Sequence, residues 1–254
     1  MTENRVNNVS IIILAAGLGT RMKSNMAKVL HKICGKPMIS YVVLSASEVA
    51  GRDVVVVVGH QADHVKAACL EVNPVSFAFQ KEQLGTGHAV LCAMPEISET
   101  AENIIILCGD VPLLQPETVQ ALLADHVNEN REISLLAVEL QDPTGYGRVV
   151  LNKNRQLEKI VEEADATDAE KKILLINSGI YCVSRAFLWA SLKEIKPDNA
   201  QGEFYLTDII EVGYSWGRPI GVLVGKNPQE VSGVNTVADL KAVETLMSAR
   251  VSAT

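Results

Sequence analysis

The segment Ile11–Leu30, IIILAAGLGTRMKSNMAKVL, concentrates the residues of this 254-residue chain best equipped to hold phosphate. Gly17 and Gly19 free backbone N–H groups in a loop that leaves an apolar run, and Arg21, Lys23 and Lys28 follow closely. Backbone N–H nests bind anionic oxygens, while Arg and Lys neutralise charge that grows on a leaving phosphate. Two better-known phosphate loops do not fit. A dinucleotide fingerprint needs a third glycine where Met22 stands and an acid about twenty residues on, whereas the next acid is Glu48. A P-loop needs glycine before its Lys-Ser, and Met22 again precedes Lys23-Ser24. On residue types alone the segment is either a phosphate site or a tight strand-to-helix turn with solvated basic side chains.

Charge is distributed unevenly around it. The net charge of −7 leaves no basic stripe for a nucleic acid, so no nucleic-acid partner is expected. Yet positions 4–47 hold no Asp or Glu while Arg5, Arg21, Lys23, Lys28, Lys32 and Lys36 all fall there, which keeps one region positive. No apolar run approaches the roughly 18 residues of a membrane span, and the N-terminus carries an acid and amides rather than the basic start of a secretory leader. A cytoplasmic protein without membrane contact is expected. The five cysteines form no C-x-x-C pair and read as reduced, mostly buried thiols. His60 and His64 have the i,i+4 spacing of a zinc helix, but Gln61 stands where H-E-x-x-H requires its general base.

The elements that must position these residues alternate along the first half. Apolar runs at 11–15, 54–58, 75–79 and 104–107 are each followed by an amphipathic stretch, starting near Pro37, after His60, after Thr86 and after Pro116. Continuous apolar strands mean burial on both faces, so the pattern predicts a doubly wound α/β protein with a mostly parallel sheet. In the second half, 133–140, 148–151, 157–161 and 180–183 read as strands separated by turn material, some of them antiparallel, and a helix from about Thr236 finishes the chain. No linker or repeat divides residues 1–254, so a single domain is expected. Ligands of such sheets bind beyond the carboxyl ends of the strands, which brings the loops 17–28, 80–86, 109–112 and the one after Val161 to one rim.

The motif LAAGLGTRM, followed by a lysine and then GKPM, resembles the signature of sugar-nucleotide pyrophosphorylases. QKEQLGTGHA (Gln80–Ala89), GDVPL (Gly109–Leu113), TGYGR (Thr144–Arg148), IVEEADAT (Ile160–Thr167), INSGI (Ile176–Ile180), NAQGEFYLTD (Asn199–Asp208) and GVN (Gly233–Asn235) follow in order. Together they resemble the uridyltransferase domain of the bacterial N-acetylglucosamine-1-phosphate uridyltransferase/glucosamine-1-phosphate acetyltransferases, from about Ile11 to Leu240. The resemblance implies a Rossmann-like nucleotidyltransferase fold, with a nucleotide-binding half at about 9–115 and a sugar-phosphate-binding half at about 116–254. It implies UTP and N-acetylglucosamine 1-phosphate as substrates and Mg²⁺ as cofactor. By the same resemblance Leu14, Ala15, Ala16, Gly17 and Gly19 hold the nucleotide, Arg21 and Lys28 the triphosphate and departing pyrophosphate, and Gln80, Gln83, Gly85 and Thr86 read uracil. Asp110 and Asn235 bind Mg²⁺, and Gly147, Glu162, Asn177, Tyr205 and Thr207 line the sugar-phosphate pocket.

These residue types suit those tasks. A Gln amide with a loop N–H matches the acceptor–donor–acceptor edge of uracil, and Glu with Asn fixes a polyol. One Asp and one Asn suit Mg²⁺, which keeps waters and takes substrate phosphates. Without the resemblance, Asp110 would pass as a turn or cap residue, Glu162–Glu163 as a solvated pair and Tyr205 as core. The chain also departs from the family pattern. Ala27 stands where proline usually precedes the lysine, which predicts a looser loop. Cys108 replaces an aromatic two residues before the aspartate, and Ser178 replaces a threonine beside Asn177. The hexapeptide β-helix of the bifunctional relatives is not found in residues 1–254, so no acetyltransferase activity is expected of them and the oligomeric state stays open. Two rival readings remain here: the same chemistry on another sugar 1-phosphate or NTP, and a catalytically silent nucleotide-sugar sensor.

Overall fold

A computed structural model describes residues 8–252. Arg5, counted above in the positive stretch, and the N-terminal segment lie outside the described residues. The first half runs β1 (Val9–Leu14), a short hairpin β2 (Lys32–Ile33) and β3 (Lys36–Pro37), α1 (Met38–Ala50), β4 (Val54–Val58), α2 (Ala62–Leu70), β5 (Ser76–Phe79), α3 (Thr86–Ala93) and β6 (Asn103–Cys108). There follow α4 (Pro116–Asn128), β7 (Ile133–Glu139), β8 (Arg148–Leu151), β9 (Leu157–Val161), β10 (Leu175–Ser184), α5 (Arg185–Ser191), α6 (Asp208–Ser215), β11 (Ile220–Val224) and α7 (Val237–Ser252).

The continuous apolar strands are buried on both faces, as their pattern requires. Ile11 and Ile13 of β1, with Val54, Val56 and Val58 of β4, pack under α1, α2 and α4 through Val42, Val65 and Leu122. Ile12, Val55 and Val57 point the other way, into a second core closed by Val90 of α3, Phe187 of α5 and Ile209 of α6. Each such side chain contributes about 1.5–3 kcal/mol on burial, which makes these runs the framework on which the loops are hung.

The strand order β11-β7-β10-β6-β1-β4-β5 is mixed and mostly parallel. β1 pairs in parallel with β4 and β6, β4 with β5, and β7 with β11, while β10 runs antiparallel between β6 and β7. The chain leaves β1 toward β4 and β6 toward β7, that is toward opposite edges of the sheet, so the switch point of a doubly wound sheet falls between them. Because β10 is reversed, its first residues, not its last, arrive at that rim. There the register shifts between Asn177 and Ile180, a bulge that bends the strand and re-aims Asn177.

Three features differ from the sequence pattern. β10 begins at Leu175 rather than Ile180, because the bulge breaks the alternation. The half-buried edge strand β11 and the two-turn helices α5 and α6 were not expected, being too short or too exposed to show a period. No helix among the described residues is long and apolar enough to cross a membrane.

Candidate active site

The loops after β1, β5 and β6 enclose a cleft of about 420 Å³. Leu14, Ala15, Ala16, Gly17 and Gly19 line it together with Gln80, Gln83, Gly85 and Thr86, and Lys28, Cys108 and Asp110 complete it. Gln80 is only 3% exposed. Its Nε2 donates to the Gly85 carbonyl at 3.1 Å and to His88 Nδ1 at 3.1 Å, so its amide oxygen is left to accept from a ligand. Gly85 has φ +113°, and a Cβ there would come within 2.5 Å of the Phe204 carbonyl oxygen. That closeness lets the two segments zip together: Phe204 N–H donates to the Leu84 carbonyl, Gly87 N–H to the Phe204 carbonyl, and Leu206 N–H to Thr86 Oγ1. Glu203 enters the cleft lining by the same contact.

Gly19 is equally constrained. It sits at φ +66°, and a Cβ there would meet the Lys28 Cβ at 2.5 Å. Gly19→Ala is therefore expected to displace Lys28, lowering kcat by about tenfold or more in steady-state kinetics, with an unchanged circular dichroism spectrum. Near-wild-type kinetics would show that this close approach is dispensable.

Beyond the cleft mouth the charged residues converge. Lys28 Nζ donates to Asp110 Oδ2 and, at 3.1 Å, to Asn235 Oδ1, while Arg21 Nη2 donates to the same Asn235 oxygen at 2.9 Å. Asp110 follows the end of β6, and its carbonyl accepts from Val234 N–H at 2.9 Å, which ties the Gly233–Asn235 segment to it. Asn235 is fixed from the other side by the start of α7. Thr236 and Asp239 form a capping box, and Asp239 Oδ2 also accepts from Asn235 N–H at 3.0 Å. A carboxylate and an amide oxygen thus already point at one positive centre. Hard oxygen donors in that sparse number fit a divalent cation that keeps waters and takes phosphate oxygens. Lys23, the third base of the segment, is exposed and stays outside the cluster, in the left-handed region at φ 50°.

Gly147, Glu162 and Asn177, expected from the resemblance to line a sugar-phosphate pocket, meet near Cys108. A Cβ on Gly147 would touch Glu162 Oε2 at 3.3 Å and Asn177 Cβ at 3.4 Å, so these three share one corner. Asn177 Oδ1 accepts from Gly179 N–H and from Tyr181 Oη, each at 2.9 Å, leaving its NH₂ as a free donor among the described residues. Thr207 Oγ1 is buried without a partner at hydrogen-bond distance among the described residues. Burial raises the Glu162 carboxyl above its ordinary range. The Tyr205 hydroxyl turns instead to Asp165, donating to its Oδ2 at 3.3 Å. Cys108 Sγ fills the space over Gly179, where a Cβ would come within 2.8 Å of it, and burial pushes its thiol up to about 12. Ser178 Oγ donates to the Leu136 carbonyl at 2.6 Å and stitches the bulge.

An acidic group behind this corner gives a pH signature. Burial, then Glu211, Glu162 and Asp165, push Asp208 from its ordinary 3.8 up to about 6. Between those values the unfolded chain releases the proton and the folded chain keeps it, so stability from this residue is present at low pH and lost as pH rises through about 6. Asp208→Asn is expected to melt higher than wild type above pH 6, by roughly 2–4 °C per kcal/mol relieved, and to lose that advantage below the ordinary value. A pH series of melting curves checks this, and a constant difference across pH would contradict it.

Several site features carry no signal in the sequence. Arg148 is buried and bridges three segments, donating to the Tyr146 and Lys171 carbonyls and pairing with Glu163 Oε2 at 2.8 Å. Tyr146 packs by Gly233, close to Asp110 and Arg21. Both lie in TGYGR, where a buried arginine cannot be told from a solvated one. His60 and His64 join no metal-type cluster, and none of three or more His, Cys, Asp or Glu occurs among the described residues. The looser loop expected at Ala27 meets a compensating contact, since Ala27 N–H donates to Gln61 Oε1 at 2.9 Å.

Comparison with known proteins follows the same outline. The sequence matches the MobA-like NTP transferase domain over residues 11–176. The protein named "Bifunctional protein GlmU" of Geotalea uraniireducens is 44% identical over 246 residues, 97% of this chain and 54% of that relative. That of Caldanaerobacter subterraneus is 45% identical over 240 residues, 94% of this chain and 52% of the relative. That of Desulfotalea psychrophila is 42% identical over 234 residues, 92% and 69%. The chain spans about half the length of the first two curated relatives, 54% and 52%.

Proposed function

The chain belongs to the MobA-like NTP transferase domain family and is a nucleotidyltransferase, and from that premise we propose that it transfers uridylyl from UTP to N-acetylglucosamine 1-phosphate. An oxygen of the sugar phosphate attacks the α-phosphorus in line. The new P–O bond forms as the bond from the α-phosphorus to the bridging oxygen of the β-phosphate breaks, and pyrophosphate leaves. The attacking phosphate is already an anion, so no general base is required. The work of the protein is to align two polyanions and offset their repulsion.

The observation that most supports this reading is the convergence of Lys28, Asp110, Asn235 and Arg21 at the mouth of the glycine-loop cleft. Asp110 and Asn235 would hold Mg²⁺, which would supply positive charge to offset that of the reacting phosphates. Arg21 and Lys28 stabilise charge on the departing pyrophosphate, and the Leu14–Gly17 backbone with Gly19 holds the nucleotide, the Ala15 N–H being taken up by the Val57 carbonyl at 3.0 Å. The free oxygen of Gln80 accepts from uracil N3–H, where cytosine offers no proton. Glu162 accepts from sugar hydroxyls, and the Asn177 NH₂ and the unpartnered Thr207 hydroxyl supply further polar contacts to the sugar phosphate.

Substrate choice is tested by pyrophosphate release from each NTP paired with N-acetylglucosamine 1-phosphate, glucosamine 1-phosphate or glucose 1-phosphate. Release is expected with UTP and the acetamido sugar far above other pairs. A different preferred pair keeps the chemistry and removes the assignment of substrate, and binding without turnover removes the chemistry.

A further inference from the structure

The residue before Lys28 is tied to the sheet by a single side-chain amide, and we propose that Gln61 is a positioning residue for the transfer step, holding the loop from which Lys28 reaches the phosphates. This rests on the reading of Lys28 given above. Ala27 N–H donates to Gln61 Oε1 at 2.9 Å, and Gln61 Nε2 donates to the Asn25 carbonyl at 3.0 Å. His60 Nε2 lies 3.4 Å from that same carbonyl. One amide thus closes a clamp over Asn25–Ala27 from the rim between β4 and α2.

Three observations set this clamp apart from ordinary loop packing. Gln61 sits at φ 52°, in the left-handed region that non-glycine residues rarely occupy, and such positions persist where surrounding contacts hold them. It directly precedes α2 but its side chain makes no cap bond to that helix; the amide serves the phosphate loop instead. Ala27 is 0% exposed with φ −54°, an angle that a proline ring would impose covalently. Here the angle is held by a hydrogen bond, and the residue so held opens the short turn Lys28–Leu30. Only glutamine or asparagine among side chains offers the acceptor that Ala27 needs together with an amide donor for Asn25, and glutamine has the reach. A slack Ala27 would let Lys28 drift from Asp110 and Asn235, and small misplacements of a catalytic group cost rate rather than binding.

Wild type, Gln61→Ala, Ala27→Pro and the double variant decide the matter, each assayed for kcat and KM in pyrophosphate release and for amide exchange across residues 25–30. Gln61→Ala is expected to lower kcat about tenfold with KM values within about twofold, and to speed exchange in that segment. Ala27→Pro loses the donor and pushes its ring against the amide, so it too is expected to be slow. The double variant is expected to regain most of the lost kcat, because the ring fixes φ once the facing amide is gone. Gln61→Glu, which keeps the acceptor but sets a carboxylate against the Asn25 carbonyl, is expected to behave like Gln61→Ala and guards against a folding failure of the latter. Wild-type kcat in both Gln61 variants overturns the proposal, as does a double variant whose loss is the sum of the single losses. Should wild type release no pyrophosphate with any substrate pair, the reaction reading falls, while the clamp is still decided by exchange: faster in Gln61→Ala upholds it, unchanged overturns it.

Discussion

Asp110→Ala is expected to lower turnover about 10³-fold or more at saturating divalent metal, while metal-free UTP binding changes only a few-fold. The carboxylate stands at the end of β6, at the switch point of the sheet, and with Asn235 Oδ1 it forms the only pair of acidic and amide oxygens converging on a cation at the cleft mouth among the described residues. Alanine keeps the backbone bond from Val234 N–H to the Asp110 carbonyl, so the Gly233–Asn235 segment stays in place. The Lys28–Asp110 pair is partly exposed, with side chains 18% and 16% accessible, and contributes at most about 1 kcal/mol to stability. A loss of activity with an unchanged melting temperature therefore reports on chemistry. Asp110→Asn separates charge from shape and is expected to be nearly as slow. Turnover within tenfold of wild type in saturating metal would remove the metal-binding assignment.

Lys28→Ala is expected to lower kcat about 10²-fold with a smaller effect on the KM for UTP. The ammonium is the counter-charge of Asp110, and on the proposed reaction its flexible stem lets it turn to phosphate oxygens. Charge grows on the pyrophosphate only as the bond breaks, so the interaction strengthens in the transition state. Losses at Lys28 and Asp110 are expected to be less than additive, because the two side chains touch each other and the proposed reaction has both acting on the same phosphates. Lys28→Arg keeps the charge but presents a planar fork to Asp110 and Asn235, and is expected to restore activity only in part. A variant that raises KM and leaves kcat unchanged would make Lys28 a simple binding group.

How far these residues could be read beforehand follows from their physics. β1, β4 and β6 were legible because two-sided burial makes a strand apolar at every position, and the glycine loop because its close approaches exclude other residues. Asn235 was placed by resemblance, while the box that orients it, Thr236 with Asp239, is a local pattern that could have been found from sequence. Arg148 and Gln61 could not. Each is a polar residue that bonds to backbone groups, Arg148 to the Tyr146 and Lys171 carbonyls and Gln61 to Ala27 N–H and the Asn25 carbonyl, and backbone groups leave no mark on composition or spacing. β11 was missed although it reads Ile-Gly-Val-Leu-Val: Gly221 interrupts a short run that lies only half-buried at the edge of the sheet. The expected loosening at Ala27 illustrates the limit, since a dihedral constraint absent from one residue can be supplied by another 34 positions away.

Uridylyl transfer itself is tested most directly by following UTP, Mg²⁺ and N-acetylglucosamine 1-phosphate with the protein by phosphorus NMR. The expected result is joint disappearance of both substrates with UDP-N-acetylglucosamine and pyrophosphate rising in equal amounts, and no change with Asp110→Ala. Release of inorganic phosphate while the sugar phosphate is untouched, or stable signals from both substrates despite UTP binding, would contradict it.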